Sequence, residues 1–322
     1  MKRRSFLINS LAGGTLLVGR VYAQSGSWPN QAVRIIVPFP PGGTPDIAAR
    51  VLAQNFGAHL KQPIIVENRV GAAGTIGVTA AAQSKDSHTL LLATTAIINA
   101  PHMSSVRYDV SRDFDAIGMI SLFPNVLVVA ANSKYQSVKE ILADASARPG
   151  EVVCGNGGTG TTSYLACETL MHLAGVNLLQ VPYKGEGALT PDILSNTVSM
   201  AIASLPTVLP HIRSGRLRAL AVAAMEPHSD LPGISTFAAL GVPNLIVHGW
   251  VVLLAAKGIP LDRLTDLELM LEKALTNESV SKTLTGVGLI PVISGRIKTE
   301  EFMQTESQRW GQLIRVRNIK TD

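Results

Sequence analysis

Two segments of the 322-residue sequence carry residue types whose spacing suits ligand chemistry. The first is Phe39-Pro40-Pro41-Gly42-Gly43-Thr44-Pro45-Asp46. It follows an apolar run, Val33 to Val37, and opens a helix-like segment. Glycines let the backbone approach a ligand closely. The first turn of a helix presents unpaired N–H groups and about half a positive charge. Together these make an anion seat that needs no arginine. The same residues also fit a plain strand-to-helix turn in which Asp46 complements the helix dipole. Local sequence supports the two readings equally.

The second segment is Gly155-Asn156-Gly157-Gly158-Thr159-Gly160-Thr161-Thr162-Ser163, again between a strand and a helix. Gly155, Gly157 and Gly160 satisfy GxGxxG. A dinucleotide site also needs an acid about 20 residues on, at the end of the next strand. That region holds Gln180, Pro182 and Tyr183, and Glu186 lies past the strand. The better reading is a second anion cradle of backbone N–H groups and hydroxyls.

Enzyme signatures are missing. There is no GxSxG elbow and no GxxxxGK[ST] loop, and Glu300-Glu301 reads as solvated charge on a surface helix. The seven histidines are scattered, with no HExxH or CxxC, so no metal or cofactor is expected. A catalytic set assembled only in space stays open as the alternative. Cys154 ends a strand and Cys167 lies in the next helix. They could pair in an oxidising compartment. The preferred reading is two small buried hydrophobes.

The elements that must position these loops alternate. Strand Val33 to Val37 is followed by a helix from Thr44 as N-cap, with Pro45 first inside, to about Leu60. A short strand spans Pro63 to Val66, an Ala-rich helix runs to Gln83, and His88 to Ala93 is another strand. Ile117 to Ile120 and Asn125 to Ala130 read as two strands separated at Pro124. A second series then alternates: helix 137–147, strand 152–154, helix 161–173, strand 178–182, helix 189–195, strand 198–203, helix 207–213, strand 217–223. Strand 247–255, helices 261–275, 280–286 and 299–318, and a short strand at 289–292 complete the chain. The pattern predicts an α/β fold with parallel sheets. The helix-rich tail is expected to pack back on the first unit. Domain 1 is then residues 24–124 plus 250–322, domain 2 is 125–249, and two strands cross between them. Such a layout is a hinge around a ligand cleft.

Composition agrees with a packed core: 46% of residues are apolar and 16% charged. The formal charge of +5 is concentrated at the start, where Lys2, Arg3, Arg4 and Arg20 stand without an acid. The rest carries 24 basic and 23 acidic residues, which argues against a nucleic-acid partner. Residues 1–23 read as a cleaved signal peptide. Leu11 to Val18 is the apolar segment and Val21-Tyr22-Ala23 the cleavage site. An ordinary secretory signal fits, and Arg3-Arg4 also fits twin-arginine export.

Several motifs occur in order along the mature chain: Trp28-Pro29, Arg34 to Gly43, Val66-Glu67-Asn68-Arg69 with Gly71 to Gly74, Pro124 to Val129, Val181-Pro182-Tyr183-Lys184-Gly185, and Gly215 to Val222. Together they resemble the Bug family, the extracytoplasmic solute receptors of tripartite tricarboxylate transporters. The resemblance implies a periplasmic-binding-protein fold of two α/β domains, Venus-flytrap and type II-like, with a central cleft. It implies a monomeric periplasmic receptor that binds a small carboxylate and hands it to membrane subunits of such a transporter, or to a sensor. Carried over by position, the first loop contributes Phe39, Pro41, Gly42, Gly43, Thr44, Pro45 and Asp46. The second contributes Asn156, Gly157, Gly158, Thr159, Gly160, Thr161 and Thr162. Thr94, Thr95, Tyr183 and Ser204 would line the cleft from neighbouring strand ends, with Asp46 meeting a cationic or hydroxyl group or simply capping its helix. The chain departs from the family pattern in placing Thr44 before Pro45, Ser204 where many members carry Asp, and Tyr164 where many carry His. These departures bear on which ligand is taken. An exported α/β enzyme acting on a carboxylate remains the rival reading.

Overall fold

The computed structural model describes residues 28–84 and 86–320, so the leader lies outside the described residues. The first half of the chain forms β1 (Val33–Val37), α1 (Thr44–Leu60), β2 (Ile64–Asn68), α2 (Thr75–Ala82), β3 (Thr89–Thr94), α3 (Ala96–Met103), α4 (Val110–Asp113) and the long β4 (Phe114–Ala130). Then come α5 (Val138–Ala147), β5 (Val153–Asn156), α6 (Thr162–Ala174), β6 (Leu179–Pro182), α7 (Glu186–Leu194), β7 (Met200–Ser204), α8 (Leu205–Arg213) and β8 (Leu217–Val222). The chain ends with β9 (His248–Ala256), α9 (Leu261–Thr276), α10 (Glu278–Gly286), β10 (Ile290–Ser294) and α11 (Arg296–Val316).

Parallel pairing follows from strand–helix–strand connections, which return each strand to the same direction. β1 pairs in parallel with β2 and β3, and β5 with β6 and β7. Both faces of β3 and β7 are buried, so these central strands read as near-continuous apolar runs, while β2 and β6 at the edges are half-exposed. Side chains still alternate between faces. Ile35 and Val37 pack with Leu52 and Phe56 of α1, Leu267 of α9 and Leu284 of α10. Ile36 points the other way, towards Val78 of α2, Ile98 of α3 and Trp310 of α11. Each fully buried side chain of this kind contributes about 1.5–3 kcal/mol. The tail thus packs back on the first half, with β10 pairing β4 at Met119 to Leu122.

β4 joins the halves. Its first part pairs antiparallel with β9 up to Pro124 opposite His248. Its second part pairs with β7 from Asn125 and with β8 from Val126. This single 17-residue strand replaces the two strands expected from the sequence. Pro124 interrupts nothing, because its missing N–H falls where the strand changes partners. At that point Asn125 N–H donates to Val247 O, and Val247 N–H donates to Ala223 O. The outgoing and returning chain segments therefore run side by side.

Other details differ from expectation. The N-cap of α1 is Gly43, without a side-chain cap, and Thr44 is its first residue. α7 begins at Glu186, three residues earlier than the periodicity indicates. α3, which accommodates Pro101, has no counterpart in the sequence reading. Cys154 and Cys167 are free thiols, both fully buried, and the Cys167 Sγ–H donates to Cys154 Sγ at 2.7 Å. Burial pushes the Cys167 thiol well up from its ordinary value.

A cleft lined by five helix starts

The cleft forms where strands hand over to helices. Gly43, Thr44 and Pro45 bring the start of α1, and Thr94 and Thr95 the start of α3. Gly157, Thr161 and Thr162 bring the start of α6, Gly185 and Glu186 that of α7, and Ser204 that of α8. Phe39, Pro40 and Phe123 supply apolar wall. Each helix start carries about half a positive charge and unpaired N–H groups. Among the described lining residues there is no Lys or Arg, and Glu186 is the sole ionisable side chain. The positive potential is therefore a backbone property.

One polar group in the wall is unmatched. The Thr95 Oγ1 is buried and has no hydrogen-bond partner among the described residues. A buried hydroxyl left alone costs about 1–3 kcal/mol, so such a group marks a place where a guest completes the bonding. The space between these helix starts is about 40 Å³. That holds about three water molecules, so a larger guest needs the walls to part.

Beside the cleft its walls come together at several points. Thr44 and Thr207 hydroxyls are 3.1 Å apart. Asn99 Nδ2 donates to Gly160 O at 2.8 Å. A Cβ on Gly185 would lie 2.7 Å from Pro40 Cδ, and one on Gly187 2.7 Å from Pro41 O. Only glycine allows these approaches.

Of the residues expected at the site, Phe39, Gly43, Thr44, Pro45, Thr94, Thr95, Gly157, Thr161, Thr162 and Ser204 line the cleft. Gly158, Thr159 and Tyr183 line an adjoining outer groove, which also touches Phe39, Gly157 and Gly185. The Tyr183 hydroxyl donates to Asp192 Oδ2 at 2.5 Å. Pro41, Gly42, Asp46, Asn156 and Gly160 line neither, and act as supports. Asn156 Oδ1 accepts from Gly158 N–H at 3.0 Å, which holds the second loop in shape.

Asp46 braces the first loop. Its Oδ2 accepts from Gly42 N–H at 3.0 Å and from Arg50 Nε at 2.9 Å. Its Oδ1 accepts from Arg50 Nη2 at 3.0 Å and Asn68 Nδ2 at 2.9 Å. Asn68 Nδ2 also donates to Phe39 O at 3.0 Å, tying β2 to the loop. Burial alone would raise the Asp46 carboxyl, but the hydrogen bonds from Arg50, Gly42 and Asn68 outweigh it and hold the carboxyl below its usual value.

The sequence reading did not anticipate Pro40, Phe123, Gly185 or Glu186 at the cleft. Gly185-Glu186-Gly187 follows β6 and opens α7, the same strand-to-helix grammar as the two loops it did single out. Glu186 Oε1 accepts from Ser204 N–H at 3.1 Å and Ser204 Oγ at 3.0 Å, and Oε2 accepts from the same N–H at 3.1 Å. Removal from solvent pushes its carboxyl up, against the lowering effect of hydrogen bonds from Ser204, Ser163 and Thr207.

Residues 48–319 match the model of the tripartite tricarboxylate transporter family receptor. Protein BugT of Bordetella pertussis is 35% identical over 298 residues, covering 91% of each chain. Among solved structures, Rpa4515 of R. palustris with adipate superposes with a TM-score of 0.88 at 28% identity, over 91% of this chain and 99% of that one. MatC of Rhodopseudomonas palustris with bound malate gives 0.84 at 26% identity, over 89% and 100%. The periplasmic binding protein BugD gives 0.86 at 25% identity, over 92% and 100%. The α/β fold is that of periplasmic binding proteins. The chain belongs to the tripartite tricarboxylate transporter receptor family.

Proposed function

We propose that this protein is a periplasmic receptor that captures a small carboxylate and returns it unchanged to its transporter. The two lobes are residues 28–124 with 250–320, and residues 125–249, hinged where β4 and the segment before β9 run together. The ligand carboxylate sits between them on backbone N–H groups at the starts of α1, α3 and α6. The observation that carries this reading is the partnerless Thr95 hydroxyl in a wall of converging helix starts that holds no basic side chain. The adipate and malate held by related receptors support the ligand class. Residues 1–23 direct export, and the mature chain works as a monomer that presents its closed form to the membrane subunits of a tripartite transporter.

The test is thermal unfolding of refolded mature protein against mono-, di- and tricarboxylates. A ligand at 100 times its Kd stabilises by about 2.7 kcal/mol, which raises the midpoint by roughly 5–11 °C at 2–4 °C per kcal/mol. Recovery of the bound molecule unaltered separates a receptor from an enzyme. No shift with any carboxylate, or conversion of the ligand, overturns the proposal.

A further inference from the structure

The cleft contains a carboxylate of its own. Glu186 reaches from the first turn of α7 to the start of α8, where both its oxygens accept the Ser204 N–H and one also accepts the Ser204 hydroxyl. Ser204 is the N-cap of α8. The seat that this helix offers to an anion is thus filled by the chain itself. The Glu186 side chain lies close over Gly157, where a Cβ would come within 2.9 Å of Glu186 Cγ, so glycine there leaves it room.

Resting on the receptor reading, we propose that Glu186 sets specificity: the protein takes a monocarboxylate whose other end donates hydrogen bonds, and discriminates against dicarboxylates. The ligand carboxylate has the starts of α1, α3 and α6 with the Thr95 hydroxyl. Its far end then faces Glu186, which when ionised can only accept. An amide, ammonium or hydroxyl group meets that acceptor with a donor. A second carboxylate brings another acceptor and a like charge into a small cavity, and the seat it would use at α8 is taken.

The experiment is titration calorimetry of the full mature protein at pH 7.5 with matched pairs: succinate, glutarate and adipate, each beside its mono-amide. The wild type is expected to bind a mono-amide at least about ten-fold more tightly than the parent diacid, the effect of about 1.4 kcal/mol. Glu186→Gln offers an amide N–H to the ligand and is expected to reverse the preference. Glu186→Ala reopens the α8 seat and is expected to gain dicarboxylate binding. Circular dichroism confirms folding of both variants, and either one suffices. A diacid that binds wild type as tightly as its mono-amide, or an unchanged ratio in both variants, overturns the specificity inference and leaves the receptor reading intact. No binding by any carboxylate overturns the receptor reading itself.

Discussion

Thr44 and Thr207 meet across the cleft with their hydroxyl oxygens 3.1 Å apart, one at the start of α1 and the other in α8. Both are buried. Either hydroxyl can donate in this pair. The contact links the first loop to α8. Thr207→Val removes the link with little change in volume. Ligand affinity is expected to fall about five-fold, for a net loss of about 1 kcal/mol. A double-mutant cycle with Thr44→Val should return a coupling of about that size. Additive effects would mean that the contact is absent from the ligand-bound form.

Gly187 tests closure directly. Its φ is not in the left-handed region, so alanine fits its backbone, and alanine is the better helix former by about 1 kcal/mol. The added Cβ would lie 2.7 Å from Pro41 O in the first loop. Gly187→Ala should therefore leave the ligand-free protein as stable as before or slightly more so, while weakening ligand binding at least about ten-fold. Small-angle scattering should show less compaction on ligand addition than in wild type. Gly185→Ala is a poorer probe, because φ at Gly185 is +105° and strain there affects both forms.

Much of this site was legible as grammar: an apolar strand, a glycine-bearing turn, then a helix start. That grammar found the Gly42 and Gly157 loops from the sequence, because turn chemistry is local. It did not say which face of each loop the cleft would use. Asp46 has the chemistry of a ligand contact, yet Arg50 and Asn68 claim its oxygens, and Asn68 is 22 residues away. Glu186 is not legible in the same way, because the periodicity starts the next helix at Leu189 and leaves Glu186 in the turn before it. Its role depends on Ser204, brought near by the pairing of β7 with β4 and β5 rather than by sequence spacing. The sequence alone predicts two strands in place of β4, because a proline normally ends a ladder. Only the change of partners at Asn125 explains why it does not.

Thr95 separates binding from stability. Its hydroxyl has no partner among the described residues, so Thr95→Val removes a group that contributes no hydrogen bond to the fold. The unfolding midpoint in denaturant should be unchanged or higher. If the hydroxyl donates to a ligand carboxylate, a charge-assisted bond of about 1.5–3 kcal/mol is lost and affinity drops by about ten-fold or more. A variant that is destabilised yet binds normally would show that Thr95 serves packing instead.

Asp46 predicts a pH signature in stability rather than in binding chemistry. Its folded carboxyl is held below the ordinary 3.8 by Arg50, Gly42 and Asn68, despite the opposing effect of burial. A group with a depressed folded value contributes stability that is present above its unfolded value and lost as pH falls through the folded one. Asp46→Asn should destabilise the protein by about 1.5–3 kcal/mol at pH 7, the scale of hydrogen bonds to a charged group. The difference from wild type should shrink as pH falls from about 5 towards 2. Denaturant titrations at a series of pH values measure it. A gap that stays constant across that range would mean that the effect comes from the acceptor oxygen that the amide replaces with an N–H donor, not from the charge.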